Sequence, residues 1–190
     1  RHPRPIDNFL TEKWLIAPRL DLRLTDWWDH RVIVSYDHER QLNDPNEDGF
    51  TGPTRALFKR ITIDYQNDAR VTSWLTITSG FFYNQVDSGQ ERPFVAFGPT
   101  FISDYTTETA GFLELSSRPL HNLILVGGGR IDDFNQFGDK WTYRFAGNYT
   151  IDQTGTVLHA SVATGFTPPS SQDKIFGRNP NLRPADGFGW

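Results

Sequence analysis

Apolar and polar residues alternate with a period of two along most of the chain, and helical periodicity is weak throughout. Leu20, Leu22 and Leu24 share one face, opposed by Arg19, Asp21 and Arg23. Val32, Val34 and Tyr36 oppose Ser35, Asp37 and Glu39. Leu57, Ile61, Ile63 and Tyr65 oppose Arg60, Thr62 and Asp64. Leu123, Leu125 and Ile131 oppose Arg130 and Asp132, and Trp141, Tyr143, Phe145 and Tyr149 oppose Thr142, Arg144 and Asn148. Alternation of this kind is the mark of β-strands with one greasy and one charged face. It predicts an all-β chain of about eight long strands, over 14–27, 30–42, 55–66, 70–86, 105–117, 121–133, 139–151 and 155–166.

The predicted connections alternate in length. Short ones fall at Trp28-Asp29, Asn67-Asp68-Ala69, Arg118-Pro119-Leu120 and Asp152-Gln153-Thr154-Gly155. Long ones fall at 43–54, 87–104 and 167–189, with a medium one near 134–138. Tight turns at one end and loops at the other describe an antiparallel up-and-down meander. Such a meander is either a soluble sheet with one wet face or part of a transmembrane β-barrel, with short turns on the periplasmic side and longer loops outside. The predicted strands are long enough for a bilayer, which needs about nine to eleven residues per strand. Aromatic residues of the apolar face gather near strand ends, as interfacial girdles require: Trp27 or Trp28, Tyr65 and Tyr149 near the short turns, and Tyr83, Trp141 and Tyr143 near the loops. Arginines recur on the other face, as in a wet lumen. These three features favour the barrel.

Composition sharpens this picture. The chain has 190 residues, of which 37% are hydrophobic and 14% aromatic. Its mean hydropathy is −0.53. No window approaches the ~18 apolar residues of a spanning helix, but a spanning strand shows lipid only every second residue, so its hydropathy averages out. Without cysteine there is no disulfide framework or thiolate metal site. A net charge of −4 argues against a nucleic-acid-binding face. The chain opens Arg1-His2-Pro3-Arg4-Pro5 and contains no methionine, which suggests an internal or excised piece of a longer protein, processing being the other explanation of the missing start.

Catalytic signatures are lacking, and the chain reads as a non-enzyme. The histidines at 2, 30, 38, 121 and 159 have no ligand spacing. There is no Gly-x-Ser-x-Gly elbow and no phosphate loop. His159 near Asp132 is the one pairing of a kind that outer-membrane hydrolases use, and a lumen-wall role accounts for both. Asp132 is expected to point inward against Arg130, with Asp133 starting the next loop. The segment Arg92-Pro93-Phe94-Val95-Ala96-Phe97-Gly98-Pro99 fits ligand contact and loop packing equally. In Asp44-Pro45-Asn46-Glu47-Asp48-Gly49, the residues Asp44, Asn46 and Asp48 stand at alternate positions before a turn glycine, like the opening of a calcium loop. Position twelve is Arg55 rather than a bidentate Glu, so the polar-turn reading is the favoured one.

The last third carries a family resemblance. Gly165-Phe166-Thr167-Pro168-Pro169-Ser170 ends a strand, follows Ala160-Ser161-Val162-Ala163-Thr164, and leads to Asn179-Pro180-Asn181-Leu182-Arg183-Pro184. With Gly129-Arg130-Ile131-Asp132, Phe137-Gly138 and Thr142-Tyr143-Arg144, it resembles the late-barrel signature of TonB-dependent outer-membrane receptors. There a strand ends Gly-Phe-Lys-Ala-Pro and the next begins after Asn-Pro-Asn-Leu-Lys-Pro-Glu. This chain has Thr167-Pro168 for Lys-Ala, and Ala185-Asp186 after the final proline. The match is specific over 121–190 and generic before it.

The resemblance implies that residues 1–190 are part of a barrel of about 22 strands that encloses a plug, located in the bacterial outer membrane. It implies active transport of a scarce nutrient such as a ferric siderophore or cobalamin. The expected partners are outer-membrane lipid, a plug domain and further barrel strands outside this chain, the small-molecule ligand, and the TonB complex acting through an N-terminal region. The alternative is a small outer-membrane barrel acting as an enzyme or passive pore. No cofactor is expected unless the 43–54 loop holds calcium, as outer loops of some cobalamin-type receptors do. If it does, calcium will reduce the mobility of that loop in wild type and have no effect in Asp48→Ala. An identical titration of the two proteins removes the site.

Overall fold

The computed structural model describes residues 8–44, 54–94, 98–169 and 182–190. Among these residues the chain is all strand and turn. The strands are β1 (Asn8–Ile16), β2 (Arg19–Thr25), β3 (Trp28–Asp44), β4 (Thr54–Thr72), β5 (Leu75–Phe94), β6 (Gly98–Leu120), β7 (Leu123–Phe134), β8 (Gly138–Ile151), β9 (Thr156–Thr167) and β10 (Ala185–Gly189). They form a single ten-stranded antiparallel sheet in sequence order, with β1 and β2 both paired to β3. The sheet is not closed among the described residues: β1–β2 and β10 are its edges.

β1 and β2 are two parts of one rank. The pairs Ile16↔Tyr36 and Arg19↔Ile33 continue the same register across the gap. Pro18 causes the interruption. Its carbonyl accepts a bond from the Val34 amide at 3.2 Å, but proline has no N–H to return.

Each side chain's face follows from the register. One row runs Val32↔Tyr65↔Phe81↔Gly111↔Ile131↔Trp141, and another runs Ile77↔Leu115↔Gly127↔Phe145↔Val162. These apolar rows are solvent-exposed in the isolated sheet: Phe81 is 43% exposed, Phe145 56% and Trp141 74%. Large contiguous apolar surface of this kind requires a covering phase, and on a strand sheet of these lengths that phase is lipid. The opposite face carries most of the charges and the most deeply buried residues, Ala110, Asp132 and Phe134, while charges of the outward parity, such as Arg40, Lys59 and Asp87, lie in the half of the strands next to the loops. It is concave, because Glu39 and Gln41 on β3 line one cavity together with Pro168 and Pro169 beyond β9. The apolar and charged faces are the ones the alternation predicts.

Three of the four predicted short turns lie elsewhere along the chain. They are at Asp26-Trp27, Ser73-Trp74 and His121-Asn122, while 152–155 is as expected. Asn67 and Asp68 are turn-type residues, but here their side chains bond across the ladder. Asn67 Nδ2 donates to Ser79 Oγ at 2.8 Å and Thr78 Oγ1 donates to Asp68 Oδ1 at 2.6 Å. The strand therefore continues to Thr72. Tyr65 is consequently mid-strand, bonded to His30 Nδ1 at 2.9 Å, and Trp74 takes the place at the short-turn rim. The long connection expected at 87–104 is mostly ladder, with pairing from Arg92↔Thr100 to Phe94↔Gly98. Once two strands are in register, each further rung satisfies backbone groups at little additional ordering cost.

Packing on the concave face is closest around Gly80. A Cβ there would overlap both the Phe112 ring and the Tyr65 carbonyl oxygen, so the Phe112 ring can pack against this point of the wall only because residue 80 has no side chain.

Ile63 and Thr62 are adjacent on β4 but face opposite sides of the sheet. In the intact membrane protein, Ile63→Arg is expected to cost about 2–4 kcal/mol of stability, the penalty for a guanidinium near the bilayer midplane. Thr62→Arg, on the wet face, is expected to cost much less. Thermal unfolding in lipid nanodiscs measures both, and equal losses would contradict the assignment of faces.

Candidate functional site

The concave face holds one compact ionic cluster at the loop end of β6 and β7. Arg130 and Asp132 are two apart on β7 and share a face, and Glu108 lies on the neighbouring strand, opposite Phe134. Close approach of the two strands is aided by Gly128, where a Cβ would come 2.9 Å from the Leu113 carbonyl oxygen. The Arg130 guanidinium bridges both acids. Its Nε donates to Asp132 Oδ1 at 2.7 Å and its Nη2 donates to Glu108 Oε1 at 3.2 Å. It also lies 5.2 Å over the Phe82 ring, which adds a cation–π term. Asn84 Nδ2 reaches Glu108 Oε2 at 3.5 Å.

The cluster is buried: the Asp132 side chain is only 2% exposed and that of Glu108 16%. Removing a carboxylate from water costs several kcal/mol unless its partners compensate. Here one guanidinium serves two carboxylates, and Asp132 Oδ2 has no hydrogen-bond partner among the described residues.

Aromatic rings stand beside the acids. Phe134 stacks on Phe137 at 4.4 Å between centroids and meets Phe166 edge-on at 5.7 Å. Phe137 belongs to the turn between β7 and β8. Gly138 closes that turn at φ +74°, a conformation that favours glycine. The turn is fastened to β6: Asn135 Oδ1 accepts from the Thr107 amide at 3.0 Å, and Gln136 Nε2 donates to Asp104 Oδ1 at 2.8 Å.

Two cavities meet at this cluster. One, of about 640 Å³, is lined by Glu39, Phe58, Arg60, Glu108, Phe134 and Pro169 among others. The other, of about 330 Å³, is lined by Glu108, Arg130, Asp132, Thr142, Phe166 and Pro168 among others. The arrangement is suited to non-covalent recognition, with charged and π surfaces set in a recess. Elsewhere the concave face pairs its charges locally: Lys13 with Glu39 at 3.2 Å, Lys140 with Asp186 at 2.7 Å, and Asp29 with both Arg23 and Arg70.

The inward Asp132–Arg130 pair is the one expected from alternation. His159 and Asp132 are not brought together. His159 is opposite Asn148 and Asp132 is opposite Lys140, so along β8 they are separated by about 27 Å at 3.4 Å per residue. Asn46 and Asp48 of the calcium candidate lie outside the described residues, and Asp44 is the last residue of β3. Most of the 92–99 segment is strand backbone, and Val95-Ala96-Phe97 lies outside the described residues. Nothing in the sequence marks Glu108 as a site residue, and Phe137 stands out there only within the family signature. Strand parity gives the inward direction of Glu108, but its meeting with Arg130 depends on a register that parity does not supply.

The family model described as TonB dependent receptor-like, beta-barrel, matches residues 5–190. No curated protein sequence matches. Solved structures with a similar fold include a mutant of the ferric enterobactin receptor PfeA from Pseudomonas aeruginosa, at TM-score 0.67 and 15% identity over 85% of this chain and 26% of that one. The siderophore receptor PirA from Acinetobacter baumannii aligns at TM-score 0.61 and 11% identity, over 85% of this chain and 26% of its own. The RagAB peptide importer aligns at TM-score 0.54 and 10% identity, over 85% and 23%. The chain thus spans about a quarter of the length of these structures.

Replacing Arg130 by Met leaves two buried carboxylates without their cation. In the intact protein this is expected to cost about 3–5 kcal/mol. The triple change Arg130→Met, Glu108→Gln, Asp132→Asn is expected to recover a large part of that loss. Denaturant unfolding of the single and triple variants tests the coupling, and equal losses in the two would refute it.

Proposed function

The chain belongs to the TonB-dependent receptor β-barrel family, and on that premise we propose that it forms part of the wall of a receptor that imports a scarce nutrient, such as a ferric siderophore or cobalamin. Barrels of this family are bacterial outer-membrane proteins, and its members are transporters rather than enzymes. The lipid-facing apolar rows and the charged concave face agree with that location. The observation that carries the reading is the family match over nearly the whole chain, joined to a recessed, charged and aromatic site on the face that a barrel turns inward.

In this reading the short turns face the periplasm, and the site at Glu108, Phe134 and Arg60 lies toward the outer mouth. A plug domain outside this chain occupies the lumen, and the TonB complex acts on the plug to release the ligand. This segment supplies binding surface and a rigid wall, without covalent chemistry. The siderophore receptors among the structural neighbours are consistent with such cargo, although identities of 15% and below carry the fold alone.

The test is uptake by cells that express the intact receptor as their sole route. Labelled ferric siderophore or cobalamin is expected to accumulate, and a protonophore or loss of the TonB partner is expected to abolish accumulation. Uptake that persists undiminished without energy would identify a passive pore.

A further inference from the structure

From the outward face of the loop half we infer that Arg40 and Lys59 form a docking site for the phosphate of a phosphorylated glycolipid in the outer leaflet of the membrane. The inference rests on the outer-membrane location of the barrel and is independent of the cargo.

Strand parity turns both cations toward the lipid side. Lys59 lies on the row Trp14↔His38↔Lys59↔Asp87↔Tyr105, and Arg40 lies on the next outward row, opposite Leu57. Both side chains are exposed. Their depth follows from the short turns. Arg40 is twelve residues along β3 from Trp28, and Lys59 is thirteen along β4 from Thr72. Twelve residues at about 3.4 Å each, on a strand tilted by about 40°, climb about 31 Å along the membrane normal. The hydrocarbon core is about 30 Å thick. With the turns at one surface of the membrane, the two cations therefore stand at the other, in the headgroup layer. Trp14, Tyr36 and Tyr105 are exposed on or beside the same row, where an interfacial girdle belongs.

Neither cation is already engaged. On the concave face Lys13, Arg70, Arg130 and Lys140 each meet an acid. Arg40 and Lys59 make no hydrogen bond or ion pair among the described residues. Two acids flank them, Glu12 opposite Arg40 and Asp87 opposite Lys59. Glu12 instead accepts from the Trp14 indole at 2.9 Å, and Asp87 is on the far side of Lys59 from Arg40. Arg40 and Lys59 are diagonal neighbours across β3 and β4 with no acid between them, on positions about 7–8 Å apart. Two long cationic side chains on such a base converge on one phosphate, and charge-assisted bonds to both are the strong kind. His38, directly opposite Lys59, adds a ring nitrogen at the foot of the site.

The wall below selects a lipid rather than a free anion. Ile61 and Ile63 continue the outward column of Lys59 toward the bilayer centre, beside Tyr36 and Val34, and all four are exposed. A molecule with a phosphate and acyl chains meets the cations and this apolar wall together, whereas inorganic phosphate meets the cations alone.

Native mass spectrometry of the purified intact receptor tests the site, with bis-phosphorylated lipid A and the same lipid stripped of phosphate as probes. EDTA is present throughout, to remove divalent ions that would bridge a phosphate to Asp87. Wild type is expected to retain the phosphorylated lipid at least ~tenfold better, the scale of one charge-assisted hydrogen bond. The double change Arg40→Gln, Lys59→Gln is expected to remove that preference. Arg144→Gln, a change on the opposite face, is expected to leave it intact, as is millimolar inorganic phosphate. Near-ultraviolet circular dichroism confirms that each variant is folded. Equal retention of the two lipids, a preference that survives in the double variant, or an equal loss in Arg144→Gln would overturn the inference. Displacement by inorganic phosphate would do so as well, as would a crystal structure of the intact receptor in which Arg40 is bonded to Glu12 and Lys59 to Asp87.

Discussion

A backbone amide inside a bilayer has no water to turn to, so every rung of this sheet must be closed by a neighbouring strand. That constraint explains the long strands, the antiparallel meander and the continuation of pairing into regions that composition marks as loop. It also explains the weight of Pro18. On an aqueous sheet a missing N–H is a minor local defect. In a spanning rank it leaves the carbonyl opposite, on Val34, one donor short, and the register is held across the gap by the rungs on either side. A sheet of this kind is stable only when both edges are paired, and β1–β2 and β10 present such edges.

Strand pleating then divides the labour between two faces. The outward face has little chemical freedom: Val34, Ile63, Leu113 and Phe145 answer to lipid, and any charge there is penalised. The inward face meets water or other protein, so charges are tolerated where they are paired. The pairing is mostly local and exposed, as for Lys13 with Glu39 or Lys140 with Asp186, and contacts of that sort contribute little to stability. The Glu108–Arg130–Asp132 cluster differs because it is buried. Its attraction is stronger and its imbalance more costly.

Legibility in the sequence followed the same division. The alternation in Leu20–Leu24, Val32–Tyr36 and Trp141–Tyr149 was enough to assign both faces, because a period of two is imposed residue by residue. The glycine- and proline-rich stretches near 165–184 were enough to suggest the family. Turn positions were harder to read. Asn67-Asp68 has turn chemistry but spends it on Ser79 and Thr78 across the ladder, while the actual turn at Ser73-Trp74 carries no glycine or proline. The site was harder still. Arg130 and Asp132 meet through strand parity alone, but Glu108 joins them through the register of β6 on β7, and Phe137 through a turn pinned to Asp104 and Thr107. Register is a property of the pair of strands, and neither strand states it alone.

This division also bears on how such a wall can change its specificity. A substitution on an outward row must preserve hydrophobicity whatever the cargo, so those positions carry family identity and almost no ligand information. Phe134 and Phe166 meet edge-on at the border of the recess, and Glu108 stands there with its bonds to Arg130 and Asn84. Arg130 is different again, since it holds two acids at once and its loss would be felt in folding before it was felt in binding. The residues freest to record the cargo are therefore those at the margin of the cluster, above all Glu108, which is bonded to Arg130 through Oε1 and to Asn84 through Oε2 and borders both cavities.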